Sequence, residues 1–346
     1  MTKKRVRKKS KKSNLMYGRV AEELSKVRLG RYPFLAGVKH YALRKSVRYT
    51  KTTITEDTKK LRRFAETFEQ FKDAGKIQTT DPRQLGADAI EAFYIWMKSR
   101  GLGNSAQGTY VRVLKRYLEM WGNYVIAQME NDDEIIIQSA RGDSEINALS
   151  IDEVRAIFAA LDRMTGYKGI MMRLLISLGV GTGCRPKELF DAEIGDINVG
   201  AETFFIRHPK GEGSWGKREK VNIIRKDMVI RIERELKARD EYLKSMNVKS
   251  KYVFVNPDLG KPYAHSTFRR QKKEVEALAG VQFMIKDLRS TLLTLLVGED
   301  LSRIGAASKQ LTHRNIATTE EFYLKINKRR AVKNALGDRW KEDIIE

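Results

Sequence analysis

The chain has 346 residues, enough for two cores, and its 67 Lys and Arg against 44 Asp and Glu leave a formal charge of +23. Such an excess points to a polyanionic partner, nucleic acid first. A single cysteine, Cys184, excludes an intramolecular disulfide and a cysteine-based zinc site; the four histidines are scattered, and no apolar run reaches the roughly 20 residues of a membrane span. No metal, cofactor or membrane partner is expected. The basic N-terminus lacks the apolar stretch of a secretory signal, so the expected location is intracellular and cytoplasmic.

In chain order, residues 1–14 hold eight Lys or Arg and no acid, and 1–49 reads as a basic N-terminal arm. Residues 50–140 read as a helical domain. In "DTKKLRRFAETFEQFKDAG", Leu61, Phe64, Phe68 and Phe71 recur at three- and four-residue steps; Tyr110, Val113, Leu114, Tyr117 and Trp121 do the same. Charge, Gly and Ser around 130–147 place a boundary near 140, followed by a capping box of Ser150 and Glu153. The second domain, 141–335, is predicted to hold an apolar helix at 169–180, a β-hairpin at 202–225, a charged helix at 226–246, the strand "YVFV" and further helices. Residues 336–346 form a tail.

Several segments carry side chains suited to phosphate chemistry. Attack on a phosphodiester needs a nucleophile, cations where negative charge builds on phosphorus, and a proton donor for the leaving oxygen. Arginine suits the cationic role because its planar fork contacts two oxygens and keeps its charge. In "GTGCRPKEL", Arg185 follows a glycine-rich turn, with Glu188 three residues on to hold its guanidinium. Lys210, in "RHPKGEG", ends a strand beside a glycine turn, with Lys217 its competitor across the hairpin. Lys286 and Arg289 share one side of a helix, and "LTHRNIATTEEFY" sets His313 ten residues before Tyr323.

No segment is specific alone, but their order and spacing resemble the tyrosine recombinases, the family of phage integrases and XerC/XerD-like enzymes. Its motifs run T-G-x-R-x-x-E-L, a hairpin lysine, H-x-L-R-H-T and L-G-H-x-x-x-x-T-T-x-x-Y. Here they read "TGCRPKEL", "PKGEG", "KDLRST" and "LTHRNIATTEEFY". The resemblance implies a mainly α fold with a small β-sheet: a helical core-binding (SAM-like) domain at 50–140 and a mixed α/β catalytic domain at 141–335. It makes Tyr323 the nucleophile that forms a 3′-phosphotyrosine, Arg185 and Arg289 the phosphate clamp, Lys210 the donor to the leaving oxygen, His313 a phosphate contact and Glu188 a support for Arg185. Two positions depart from the pattern: Lys286 stands where the family has histidine, keeping a donor and a positive charge, and Thr312 where it has glycine.

Further implications are double-stranded DNA as substrate, a homo-tetramer exchanging strands through a Holliday junction without metal or ATP, and host or directionality factors. A C-terminal helix carrying Val332, Leu336 and Trp340 would dock on a neighbouring protomer. The length of the N-terminal region leans towards a viral or plasmid integrase. The alternatives are a type IB topoisomerase-like enzyme and a catalytically silent DNA-binding protein of the same fold.

Overall fold

A computed structural model of the chain describes residues 26–137, 147–213, 215–298, 300–321 and 323–324. Its contacts divide it into two units, 1–144 and 145–346. The basic residues 1–14, the boundary near 140 and the proposed docking residues Val332, Leu336 and Trp340 lie outside the described residues.

The first unit is built from helices α1 (Pro33–Lys45), α2 (Lys51–Asp73), α3 (Ala87–Ser99), α4 (Asn104–Met120) and α5 (Val125–Asn131). Its core is aromatic: Phe64 lies 4.8 Å from Phe93 and Phe34 4.6 Å from Tyr117, ring centre to ring centre. Leu61, Phe64, Phe68 and Phe71 all enter this core, as their helical spacing requires. Helix α1 corrects the expectation of an arm extending to 49. Phe34, Val38 and Tyr41, spaced by four and three residues, bury one face of α1, a periodicity masked by the surrounding positive charge. Gly37 lets α1 approach α4, since a Cβ there would stand 2.2 Å from Tyr117 Oη. That hydroxyl donates to Phe34 O at 2.7 Å.

The second unit begins with α6 (Ile151–Arg163), closed by the expected capping box: Glu153 N–H donates to Ser150 Oγ at 3.1 Å and Ser150 N–H to Glu153 Oε2 at 2.7 Å. Helix α7 (Gly166–Thr182) is buried along most of its length because it is apolar on nearly every side. It packs against α6, α9 (Lys226–Ser245), α10 (His265–Ala279) and α11 (Asp287–Val297). The antiparallel sheet runs β1 (Ile197–Asn198), β2 (Thr203–Ile206), β3 (Glu219–Asn222), with Phe204 opposite Val221. The hairpin is shorter than 202–225, and Lys210 lies in the turn rather than at a strand end. Pro209 has no N–H to extend the ladder. Only Val255 of "YVFV" joins a strand, β4 (Val255–Asn256), paired with β5 (Lys261–Pro262). Helices α8 (Pro186–Phe190) and α12 (Ile304–Gln310) and a helical segment beginning at 316 complete the unit. No helix among the described residues is long and apolar enough to cross a membrane.

Candidate active site

The site starts where α7 ends. Gly183 adopts φ 67°, a left-handed conformation suited to glycine, and its N–H donates to Gly179 O at 3.0 Å. Both glycines permit close packing. A Cβ at 179 would stand 2.6 Å from Leu288 Cδ1, and one at 183 would stand 2.6 Å from Leu311 Cδ2. The chain thus delivers Arg185 beside α11 and α12. Pro186 starts α8, leaving Arg185 as its N-cap.

Glu188, 5% exposed, then acts as the organising anion. It accepts from Arg185 N at 2.8 Å, Arg185 Nη1 at 2.9 Å and, from across the hairpin, Lys210 N at 3.4 Å. Arg185 Nη1 also donates to Thr312 Oγ1 at 3.3 Å. Arg289, on α11, is held by two carbonyls: Nη1 donates to Gly183 O at 2.8 Å and Nη2 to Leu311 O. Burial, and then the nearby Arg185 charge, push the Arg289 guanidinium down to about 10, so it remains a cation at neutral pH. Lys286 occupies the N-cap of the same helix but is exposed.

His313 is placed by the end of α12. Thr312 N donates to Lys309 O and His313 N to Ser308 O, both at 3.0 Å, the paired bonds of a Schellman turn. The position ahead of His313 is therefore left-handed, and Thr312 has φ 52°. His313 Nδ1 shares a 2.7 Å hydrogen bond with Oγ1 of the buried Thr319. Burial first, then Arg289 and Arg185, push the imidazole down to about 3, so it is neutral at pH 7.

Arg185, Lys210, Thr312 and His313 line one cleft of about 970 Å³, with Lys217, Lys309 and Arg314 adding charge. Both candidate hairpin lysines line it; of the two, Lys210 is the one whose backbone N–H donates to Glu188. Arg289, Lys286 and Tyr323 are not among the lining residues. Tyr323 is 4% exposed and packs with Leu293, Val297, Ala307 and Leu311. Its hydroxyl donates to Gly298 O at 2.6 Å. Cys184 is buried, which pushes its thiol up to about 12, in keeping with a packing role.

Three contributors are missed by reading the sequence alone: the hydroxyls of Thr312 and Thr319, and Gln310. Gln310 Nε2 donates to Thr182 O at 3.1 Å and Asn222 O at 2.8 Å, tying the hairpin to α7 and α12. The one available signal was threonine at a helix end that calls for glycine.

A cleft lined by the clamped Arg185 and a neutral imidazole, with the Arg289 guanidinium anchored near enough for its charge to act on that imidazole, on a mainly helical unit with two small antiparallel sheets, is suited to holding a phosphodiester. Over residues 147–330 the chain matches the Phage integrase family, and it belongs to that family of tyrosine-type site-specific DNA recombinases. Among solved structures it resembles the XerH site-specific recombinase bound to difH substrate, with 18% identity, 86% of this chain and 84% of that chain covered, and a TM-score of 0.60. It also resembles a lambda integrase dimer bound to a COC′ core site, with 16% identity, coverage of 90% and 98%, and a TM-score of 0.58. The Tn1549 transposon integrase in complex with transposon right end DNA gives 15%, 88%, 99% and 0.58 in the same order. At these identities the likeness is one of fold. No curated protein matches the chain by sequence.

Proposed function

We propose that the chain cuts and rejoins double-stranded DNA through a covalent bond to Tyr323, with all the chemistry supplied by side chains and neither metal nor ATP consumed. The observation that carries this reading is that Arg185 and Arg289 are each held by two acceptors, Arg185 by Glu188 and Thr312 and Arg289 by two backbone carbonyls. Glu188 and Thr312 hold Arg185 in the cleft that also holds His313, and Gly183 O and Leu311 O hold Arg289 close enough for its charge to act on that imidazole.

Arg185 and Arg289 would bind the two non-bridging oxygens of the scissile phosphate and stabilise the charge that grows there in the transition state. His313, neutral, would add a hydrogen bond to the same phosphate. The Tyr323 oxygen attacks phosphorus as the bond to the 5′ oxygen breaks. Lys210 gives that oxygen a proton and a 5′-hydroxyl leaves, while the tyrosine proton passes to a neighbouring base or solvent. Lys286, exposed at the start of α11, would add positive charge for the DNA backbone. Attack by a second 5′-hydroxyl reverses the step and reseals the strand, so the phosphodiester energy is conserved. Tyr323 must first leave Gly298 O and its apolar neighbours.

DNA-bound relatives of the same fold, including a lambda integrase tetramer bound to a Holliday junction, support assembly of several protomers on DNA and strand exchange through such a junction. We assign the C-terminal segment with Val332, Leu336 and Trp340 to docking between protomers. The test is a nicked duplex that loses its cut end, offered without metal to wild type and Tyr323→Phe. The expected result is a denaturation-resistant protein–DNA adduct from wild type alone. Cognate DNA bound tightly with no adduct from wild type would leave a DNA-binding protein of this fold instead.

A further inference from the structure

Thr312 stands where the family pattern has glycine, in a conformation that favours glycine. Of the non-glycine residues with positive φ among those described, Asp133, Glu202, Asn247 and Thr312, only the last is β-branched. A branched Cβ is crowded in the left-handed region, so such a residue persists only where its surroundings hold it. Its hydroxyl has one described partner, the Nη1 group of Arg185, 127 residues away in the chain.

We propose that Thr312 is a positioning residue that fixes the Arg185 guanidinium for phosphate binding. The proposal rests on the reading of Arg185 as a phosphate clamp. A terminal guanidinium nitrogen carries two hydrogens. Those of Arg185 Nη1 are divided between Glu188 Oε1 at 2.9 Å and Thr312 Oγ1 at 3.3 Å, so this end of the plane is held from two directions. The Nε and Nη2 hydrogens, which no described residue accepts, form the other edge of a side chain that is 23% exposed and lines the cleft. That edge is the parallel fork that meets two phosphate oxygens. With Glu188 alone, the group can swing about one bond. A second carboxylate would steady it but cancel the charge the phosphate needs, whereas a hydroxyl holds it without adding charge. Glycine would give an unstrained turn and no second anchor.

The test compares Thr312→Val, Thr312→Ser and Thr312→Gly with wild type. Single-turnover cleavage of the nicked duplex at saturating protein is measured beside DNA affinity and thermal stability. Arg185 guanidinium signals are followed by NMR with ¹⁵N-arginine labelling. Thr312→Ser is expected to cleave within about twofold of wild type, and Thr312→Val and Thr312→Gly about tenfold more slowly, with DNA affinity little changed, as loss of one hydrogen bond to a charged group implies. Thr312→Gly suits the turn, so it should fold with a Tm no lower than wild type while still cleaving slowly, which separates positioning from stability. Wild-type cleavage rates in Thr312→Val, or equal slowing in Thr312→Ser and Thr312→Val, overturn the proposal. If wild type forms no adduct, the recombinase chemistry fails, and the NMR decides this inference separately. Faster guanidinium rotation in Thr312→Val supports the anchor, and unchanged Arg185 signals overturn it.

Discussion

The state of His313 offers a measurable consequence of placing one imidazole beside two guanidinium groups. Its pKa of about 3 in the folded chain lies well below the ordinary value of 6.5, through burial first and then the Arg289 and Arg185 charges. At about pH 5 a free imidazole is roughly 97% protonated, whereas His313 in the fold is protonated to roughly 1%. The unfolded chain therefore binds the extra proton, and stability falls as pH drops from the unfolded value of 6.5 towards the folded value of about 3. The limiting slope is about 1.4 kcal/mol per pH unit; solvent screening at a half-buried site cuts the whole window to about 2–3 kcal/mol. Between about pH 7 and about pH 5, wild type should lose roughly 1 kcal/mol more than His313→Asn, read from urea unfolding. Binding of a phosphate in the cleft offsets both arginine charges, so the His313 pKa should rise when DNA is added, read by NMR titration. Parallel pH losses in the two proteins, or a free-protein His313 that titrates near its ordinary value, would refute this account of the site.

Glu188→Ala removes the acceptor shared by Arg185 and the Lys210 backbone and strands a partly buried guanidinium. It should cost about 2–4 kcal/mol in urea unfolding, less than a fully buried pair because Arg185 retains some solvent, and it should slow cleavage; a loss under about 0.5 kcal/mol would deny Glu188 its organising role. Gly183→Ala places a Cβ 2.6 Å from Leu311 Cδ2 and 2.9 Å from Leu292 Cδ2 in a left-handed conformation. Strain and overpacking together should cost about 2–4 kcal/mol, with cleavage slowed further than Tm alone explains, because the Gly183 carbonyl holds Arg289. An alanine variant with wild-type Tm and cleavage would contradict both the packing and the anchoring.

Much of the architecture was legible before any coordinates. Helical spacing of apolar residues marks α2 and α4, an almost uniformly apolar run marks α7, and Ser150 with Glu153 marks the start of α6, because each signal is local in the chain. Helix α1 was hidden because its three large buried side chains, Phe34, Val38 and Tyr41, lie among basic residues, and charge speaks to partners rather than to fold. The candidate site was legible as an ordered set of motifs, since the residue types at Arg185, Glu188, Lys210, Arg289, His313 and Tyr323 carry their chemistry with them.

Local sequence specifies which groups are available and the short-range geometry that presents them: a glycine turn before Arg185, a carboxylate three residues later, a histidine after a helix end. Which of them meet depends on long-range packing. The Arg185 to Thr312 contact spans 127 residues, and the carbonyls that hold Arg289 come from the ends of two other helices. The same packing half-buries His313 near two cations, depressing its pKa, and turns the Tyr323 hydroxyl to Gly298 O. Burial and charge fields are set by neighbours distant in the chain, so no local pattern encodes them.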